Sequence, residues 1–265
     1  MDTPTTLTVS RRAPGVAQVT MARPDVFNAF DEAMISELTS AFTQLADDPT
    51  VRVIVLAGSG KHFSAGADLR WMQRASTASH AWNLQDARRF AAMLACIADC
   101  PKPTLARIQG AALGGGVGLA CACDIALAAD NASFAVSEAR FGLLPSVIAP
   151  YLVNAVGLRQ AKRLALSATR ITAAQALSLD LVQQVVALDQ LDAAVDAALT
   201  ELLAGGPQAQ REVKQLYAQL EVGPVSAEVR ELSAQTISRV RGSDEAREGF
   251  AAFLEKRPAR WIPES

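Results

Sequence analysis

The sequence predicts an α/β domain with a helical carboxy-terminal appendage, and three features point there. Up to about residue 150, short β-branched runs alternate with segments of helical period. Glycine-bordered small-residue stretches sit where strands give way to helices, and from about Tyr151 onward the texture is mainly helical. Strands alternating with helices imply a sheet covered by helices, and the run of helices after them implies a further packing unit. The expected division is a core over 1–205 and a helical region over 206–265.

Leu7 to Ser10 and Val16 to Met21 read as two strands joined by Pro14-Gly15. Asp31 to Asp47 reads as an amphipathic helix, with Met34, Leu38, Ala41, Phe42 and Leu45 on one face. Val51 to Ala57 is a β-branched strand ended by Gly58-Ser59-Gly60. A short helix is expected after the loop Ser64-Ala65-Gly66-Ala67-Asp68, and a longer one over about Asn83 to Ala98. Pro101 and Pro103 precede the strand Thr104 to Gln109, and the cluster Gly114-Gly115-Gly116-Val117-Gly118 opens a small-residue helix to about Cys123. Ile125 to Ala129, Ser133 to Val136 and Val182 to Val186 are further strands. Gly205-Gly206-Pro207 and Gly223-Pro224 separate three helical stretches reaching about Leu254.

Composition narrows the chemistry. The 265 residues, half of them apolar, suffice for a large core without a disulfide or metal staple. Lys+Arg 25 against Asp+Glu 27, spread along the chain, leave no basic footprint for nucleic acid. Met1-Asp2-Thr3-Pro4 lacks the pattern of a signal peptide. The run Gly110 to Cys123 is shorter than the roughly 18–20 apolar residues of a membrane span. A cytoplasmic protein with no membrane partner is the expectation. Cys96, Cys100, Cys121 and Cys123 have no CxxC spacing and no nearby histidine, so they read as reduced thiols rather than metal ligands. His62 and His80 are the only imidazoles, and no GxSxG accompanies them. Gly58-Ser59-Gly60-Lys61 resembles the end of a P-loop, but Val55 and His62 stand where a glycine and a Ser/Thr are needed.

Glu138 is the only glutamate between Glu37 and Glu201, and it follows a strand and precedes a mostly apolar stretch. Desolvation there would raise its pKa toward the range of a general acid/base. The competing reading is a solvated loop glutamate paired with Arg140. Gly114-Gly115-Gly116 leaves backbone N–H groups free at a helix start. They suit a dinucleotide loop, an oxyanion hole or simple tight packing. A GxGxxG frame fits poorly, because Leu119 or Cys121 falls at its third glycine. Phe63-Ser64-Ala65-Gly66-Ala67-Asp68 offers a second set of backbone donors at a helix start. Two donors and one carboxyl are the parts needed to hold a thioester enolate while a proton moves.

These residues resemble the crotonase family, the enoyl-CoA hydratase/isomerase superfamily. The likeness runs through Arg23-Pro24 with Phe27-Asn28-Ala29-Phe30, His62 to Leu69, Lys102 to Ala106, Gly110 to Gly116, Cys123-Asp124-Ile125 and Gly249 to Pro258. It implies a crotonase-like spiral of repeated β-β-α turns and a helical region that builds trimers or dimers of trimers. It also implies an acyl-CoA thioester substrate, with no metal and no cofactor beyond the substrate's coenzyme A. By position, Ala67 and Gly115 would be the oxyanion-hole donors and Glu138 the catalytic glutamate. Val26, Ala65 and Asp68 would line the CoA site, and Phe253 and Lys256 would reach the adenosine end, commonly from a neighbouring subunit.

The sequence departs from the two-glutamate hydratases of that family at Gly118, where their first glutamate stands 20 residues before the second. The segment Ser146-Val147-Ile148-Ala149-Pro150-Tyr151 also replaces a glycine-rich one. Both changes resemble the branch that hydrates methyl-branched, carboxylated acyl-CoAs, such as 3-methylglutaconyl-CoA of leucine breakdown, with Arg70, Arg74 or Arg140 available to a distal carboxylate. The expected activity is enoyl-CoA hydration by a single glutamate. A Δ3,Δ2-enoyl-CoA isomerase and an inactive acyl-CoA-binding homologue are the alternatives.

Overall fold

The structure is a computed structural model that describes residues 6–263, so Met1 to Pro4, read above for a leader, lie outside it. A six-stranded sheet runs in the order β1 (Leu7–Ala13), β2 (Val16–Met21), β3 (Val53–Gly58), β4 (Thr104–Ile108), β6 (Ile125–Ala129) and β9 (Gln184–Val186). β1 and β2 form an antiparallel hairpin and every other neighbouring pair is parallel. A second sheet joins β5 (Ala111–Leu113), β7 (Ser133–Ala135) and β8 (Ile171–Thr172). β5 pairs in parallel with β7, and β8 lies antiparallel to β7.

All six residues of β3 are buried, as a central parallel strand covered on both faces requires. Its period of two divides the core: Ile54 and Leu56 face the larger apolar cluster, Val53 and Val55 the smaller. Ala126 and Ala128 in β6 likewise face the first, and Leu127 and Ala129 the second. The larger cluster takes in α1 (Glu32–Asp47), through Met34, Ile35, Leu38, Phe42 and Leu45, and α3 (His80–Ala98), through Met93, Leu94 and Ile97. The smaller is covered by α7 (Leu191–Ala204), through Leu191, Val195 and Leu199.

The helix predicted from Asp31 begins there because the Asp31 carboxylate accepts from Met34 N–H and caps the first turn. The one predicted from Asn83 begins earlier, at His80, because Ser79 supplies the cap. Two strands escaped the sequence reading: β5 is three residues long, and β8 is only two before it runs into α6 (Ala173–Ser178). The tail has more breaks than expected. After α7 come α8 (Pro207–Tyr217), α9 (Ala227–Arg241) and α10 (Asp244–Glu255), the last two divided where Ser243 caps α10. Burial raises three of the cysteine thiols: Cys121 is pushed up to about 12, and Cys100 and Cys123 are raised as well.

Candidate active site

Three short backbone ladders bring the functional segments together. Phe30 bridges to Ala67, Ser64 to Ala112, and Leu113 of β5 pairs with Ala135 of β7. The first ladder fixes the loop before α2 (Leu69–Thr77): Phe30 N–H donates to Gly66 O at 2.8 Å and Asp68 N–H to Phe30 O at 2.9 Å. Gly66 N–H turns to Ser64 Oγ at 3.1 Å. The amides on both sides of Ala67 therefore have acceptors, while Ala67 N–H has none among the described residues.

The third ladder leads into α4 (Gly115–Ala122). Gly114 N–H donates to Ala135 O at 2.8 Å, and Val117 N–H to Gly114 O at 2.9 Å. Gly115 is the first helical residue, where an α-helix has no internal acceptor for its N–H. The two loops touch through Gly66, at φ +83°: a Cβ there would lie 2.5 Å from Leu113 O and 3.1 Å from Gly115 N. Only glycine lets the Ala67 segment approach the start of α4 so closely. The oxyanion-hole reading of the glycine cluster thus has two amides, on adjoining loops, at the start of a helix whose dipole favours negative charge.

Glu138 follows β7 and opens a 3-10 turn, Glu138–Phe141, ended by left-handed Gly142. Its side chain returns to the start of α4, so that a Cβ on Gly114 would lie 3.1 Å from Glu138 Oε1. Burial raises its pKa above the ordinary carboxylate value, with only its own backbone N–H opposing. Oε2 is buried and has no hydrogen-bond partner among the described residues. The solvated-loop reading is not what the structure shows: Arg140 makes no ion pair with Glu138, which is half-buried.

Gly118, one turn further along α4, faces no carboxyl. A Cβ there would lie 2.3 Å from Ile148 Cγ2, 2.9 Å from Ile148 Cβ and 3.7 Å from Leu94 Cδ1. Ile148 precedes α5 (Ala149–Ser167) and is 2% exposed, so an apolar side chain occupies the space a residue larger than glycine would need.

A cavity of about 620 Å³ connects these parts, and Val26, Ala65, Ala67, Asp68, Gly115 and Glu138 all line it. Asp68 is also the N-cap of α2, accepting from Arg70 N–H at 2.8 Å and from Arg23 at 3.0 Å. Burial works to raise the Asp68 pKa, but these bonds outweigh it and hold the carboxyl below its ordinary value. Phe253 and Lys256 are not brought to this cavity within one chain. Phe253 lines a separate cavity of about 520 Å³ among α8, α9 and α10, and Lys256 is the left-handed C-cap of α10. Phe141 and Leu143, from the mostly apolar stretch that follows Glu138 in sequence, contribute apolar wall beside it. Of the three candidate arginines, Arg70 lines the cavity, Arg74 is held by Glu32 at 2.7 Å, and Arg140 is not on the wall.

A largely parallel core sheet with a second small sheet, and a cavity lined by unused amides on two loops and a half-buried carboxyl, define an enzyme of the crotonase superfamily. The chain belongs to the enoyl-CoA hydratase/isomerase family, whose sequence profile matches residues 11–263. It is 34% identical over 248 residues to the crotonyl-CoA hydratase of Syntrophomonas wolfei, covering 91% of this chain and 92% of that protein. The crystal structure of an enoyl-CoA hydratase from Shewanella pealeana matches with a TM-score of 0.94 at 40% identity, covering 97% of this chain and 96% of that one. An enoyl-CoA hydratase from Mycobacterium smegmatis matches with a TM-score of 0.90 at 33% identity over 97% and 99% of the two chains.

Proposed function

We propose that the protein reversibly hydrates a 2-enoyl-CoA, with Glu138 as the sole acid/base and the Ala67 and Gly115 amides as the oxyanion hole. The observation that carries this is the Glu138 carboxyl at the start of α4, lifted by burial and without a cation partner among the described residues. In the forward direction Glu138 takes a proton from water as the water oxygen bonds to C3. The C2=C3 electron pair moves to C2 and the thioester oxygen, where the two N–H groups hold the developing charge. The carboxyl then returns its proton to C2, giving the 3-hydroxyacyl thioester. Each donor is worth roughly 3–4 kcal/mol in comparable sites. The buried Oε2, engaged by no group among the described residues, is the carboxylate oxygen left free to accept that proton.

Gly118 supports a second reading. With Ile148 and Leu94 packed over it, α4 offers no second carboxyl to hold water. One base moving a proton between C2 and C4 suffices for a Δ3,Δ2-enoyl-CoA isomerase. For the acyl group, Arg70 supports a substrate with a distal carboxylate such as 3-methylglutaconyl-CoA, since it lies on the cavity wall without an acid partner among the described residues. The exposed α10 residues Phe253 (81%) and Leu254 (78%) support a trimer, or a dimer of trimers, in which this helix meets a neighbouring chain.

The experiment is product analysis with crotonyl-CoA, 3-methylglutaconyl-CoA and a 3-enoyl-CoA in ¹⁸O-water. Label in a 3-hydroxyacyl product supports hydration. Conversion of the 3-enoyl ester alone, without label, supports isomerisation. Binding of all three esters with no turnover identifies an inactive acyl-CoA binder.

A further inference from the structure

We infer that Arg23 is a positioning residue that sets the Ala67 amide as an oxyanion donor; this rests on the function proposed above. Its guanidinium reaches both rails of the ladder that holds Ala67. Nη1 donates to Ala29 O at 2.7 Å, the carbonyl immediately before Phe30. Nη2 donates to Asp68 Oδ2 at 3.0 Å, the residue immediately after Ala67. Nη1 also lies 3.1 Å from Asp31 Oδ2, so one planar cation joins the capping carboxylates of α1 and α2. The backbone of Arg23 is fixed in turn: its N–H donates to Asn28 Oδ1 at 3.0 Å and its O accepts from Asn28 N–H at 2.8 Å. Asn28 is wholly buried and donates through Nδ2 to Ser59 O and His62 O.

The geometry separates holding from touching. Arg23 is on the cavity wall, but both of its terminal nitrogens are engaged, by two carboxylates and one carbonyl. What it controls is the spacing between the Phe30 and Ala67 strands, and through Gly66 the distance from the Ala67 N–H to the start of α4. An amide donor displaced by about 1 Å loses roughly 10²-fold in rate even when the substrate still binds. Lysine carries the charge without the fork, so it cannot hold Ala29 O and both carboxylates in one plane.

The test compares Arg23→Met, Arg23→Lys and Asp68→Asn with the wild type, on turnover and on the absorbance of a bound cinnamoyl-CoA. The bands of such a conjugated thioester move to longer wavelength when its carbonyl is polarised. Arg23→Met is expected to lower kcat by about 10²-fold with KM changed less than about threefold, and to abolish the red shift. Arg23→Lys should recover part of both. Asp68→Asn, which cuts the same link from the other side, should lower kcat and the red shift together, and it decides the matter if Arg23→Met does not fold. A folded Arg23→Met with wild-type kcat and red shift overturns the inference. So does a KM increase that accounts for the whole loss with the red shift intact, because Arg23 would then bind substrate. If Glu138→Gln also turns over, the proposed function fails. If Glu138→Gln is inactive and Arg23→Met is not impaired, only the positioning role fails.

Discussion

Replacing Gly118 by alanine places a methyl group where Ile148 already is. The new Cβ would sit 2.3 Å from Ile148 Cγ2 and 2.9 Å from Ile148 Cβ, distances that real Cβ atoms essentially never show. Ile148 is 2% exposed and β-branched, so its side chain has little freedom to rotate away. Overpacking a core costs about 1–3 kcal/mol, against roughly 1 kcal/mol that alanine gains over glycine inside a helix. With so close an approach the upper end applies, and Gly118→Ala should lose about 2 kcal/mol. Ile148→Ala alone should lose about 2–5 kcal/mol by leaving a cavity. In the double variant the 2.3 Å contact with Cγ2 is gone while the 2.9 Å contact with the Cβ of residue 148 remains, so most of the overpacking is relieved and the two losses should fall short of additive by about 2 kcal/mol. Urea denaturation of the four proteins measures this directly, with the slope unchanged if only the native state is affected. Additive losses, or a Gly118→Ala protein more stable than wild type, would show that Ile148 does not fill this space.

Glu138→Gln should raise stability while removing turnover. Burial raises the Glu138 pKa, so above the ordinary carboxylate range ionising it opposes folding, and an amide lacks that cost. The melting temperature of the variant relative to wild type should climb between pH 4 and pH 8, by roughly 2–4 °C if the orphan oxygen costs about 1 kcal/mol; a constant difference contradicts the burial argument. Asp68 has the opposite sign: its lowered pKa adds stability above the ordinary carboxylate range that is lost as pH falls through the lowered value. Asp68→Asn should therefore destabilise at pH 7 and have little effect near pH 2, as thermal melts at the two pH values will show. Arg70→Ala should raise KM for 3-methylglutaconyl-CoA by roughly fivefold more than for crotonyl-CoA, the scale of one exposed ion pair. Equal effects on the two esters would take the distal carboxylate away from Arg70.

Local chemistry made much of this architecture readable. Asp31 before a helix-period run, the β-branched 51–57 segment and the glycine-bordered loops each specify their own geometry, and the structure follows them with shifts of one to three residues. β5 was missed because Ala111-Ala112-Leu113 merges with the small-residue run after it, and its pairing partner, β7, is 22 residues further on. At the site, the scarcity of glutamate singled out Glu138, and two helix starts singled out the segments Phe63 to Asp68 and Gly114 to Gly116, within which the family resemblance implied Ala67 and Gly115. What the sequence could not disclose is tertiary: Ile148 sealing Gly118 from 30 positions away, and Arg23 joining Asp31 to Asp68. Neither pairing leaves a periodicity or spacing to read.

The central claim is that all proton transfer passes through one carboxyl. The most direct measurement is the rate at which Glu138→Gln consumes crotonyl-CoA, followed by loss of the conjugated thioester absorbance, alongside its affinity for the same ester. A single acid/base predicts a fall in kcat of about 10³-fold with the ester still bound. Turnover within tenfold of wild type, at unchanged affinity, would contradict it.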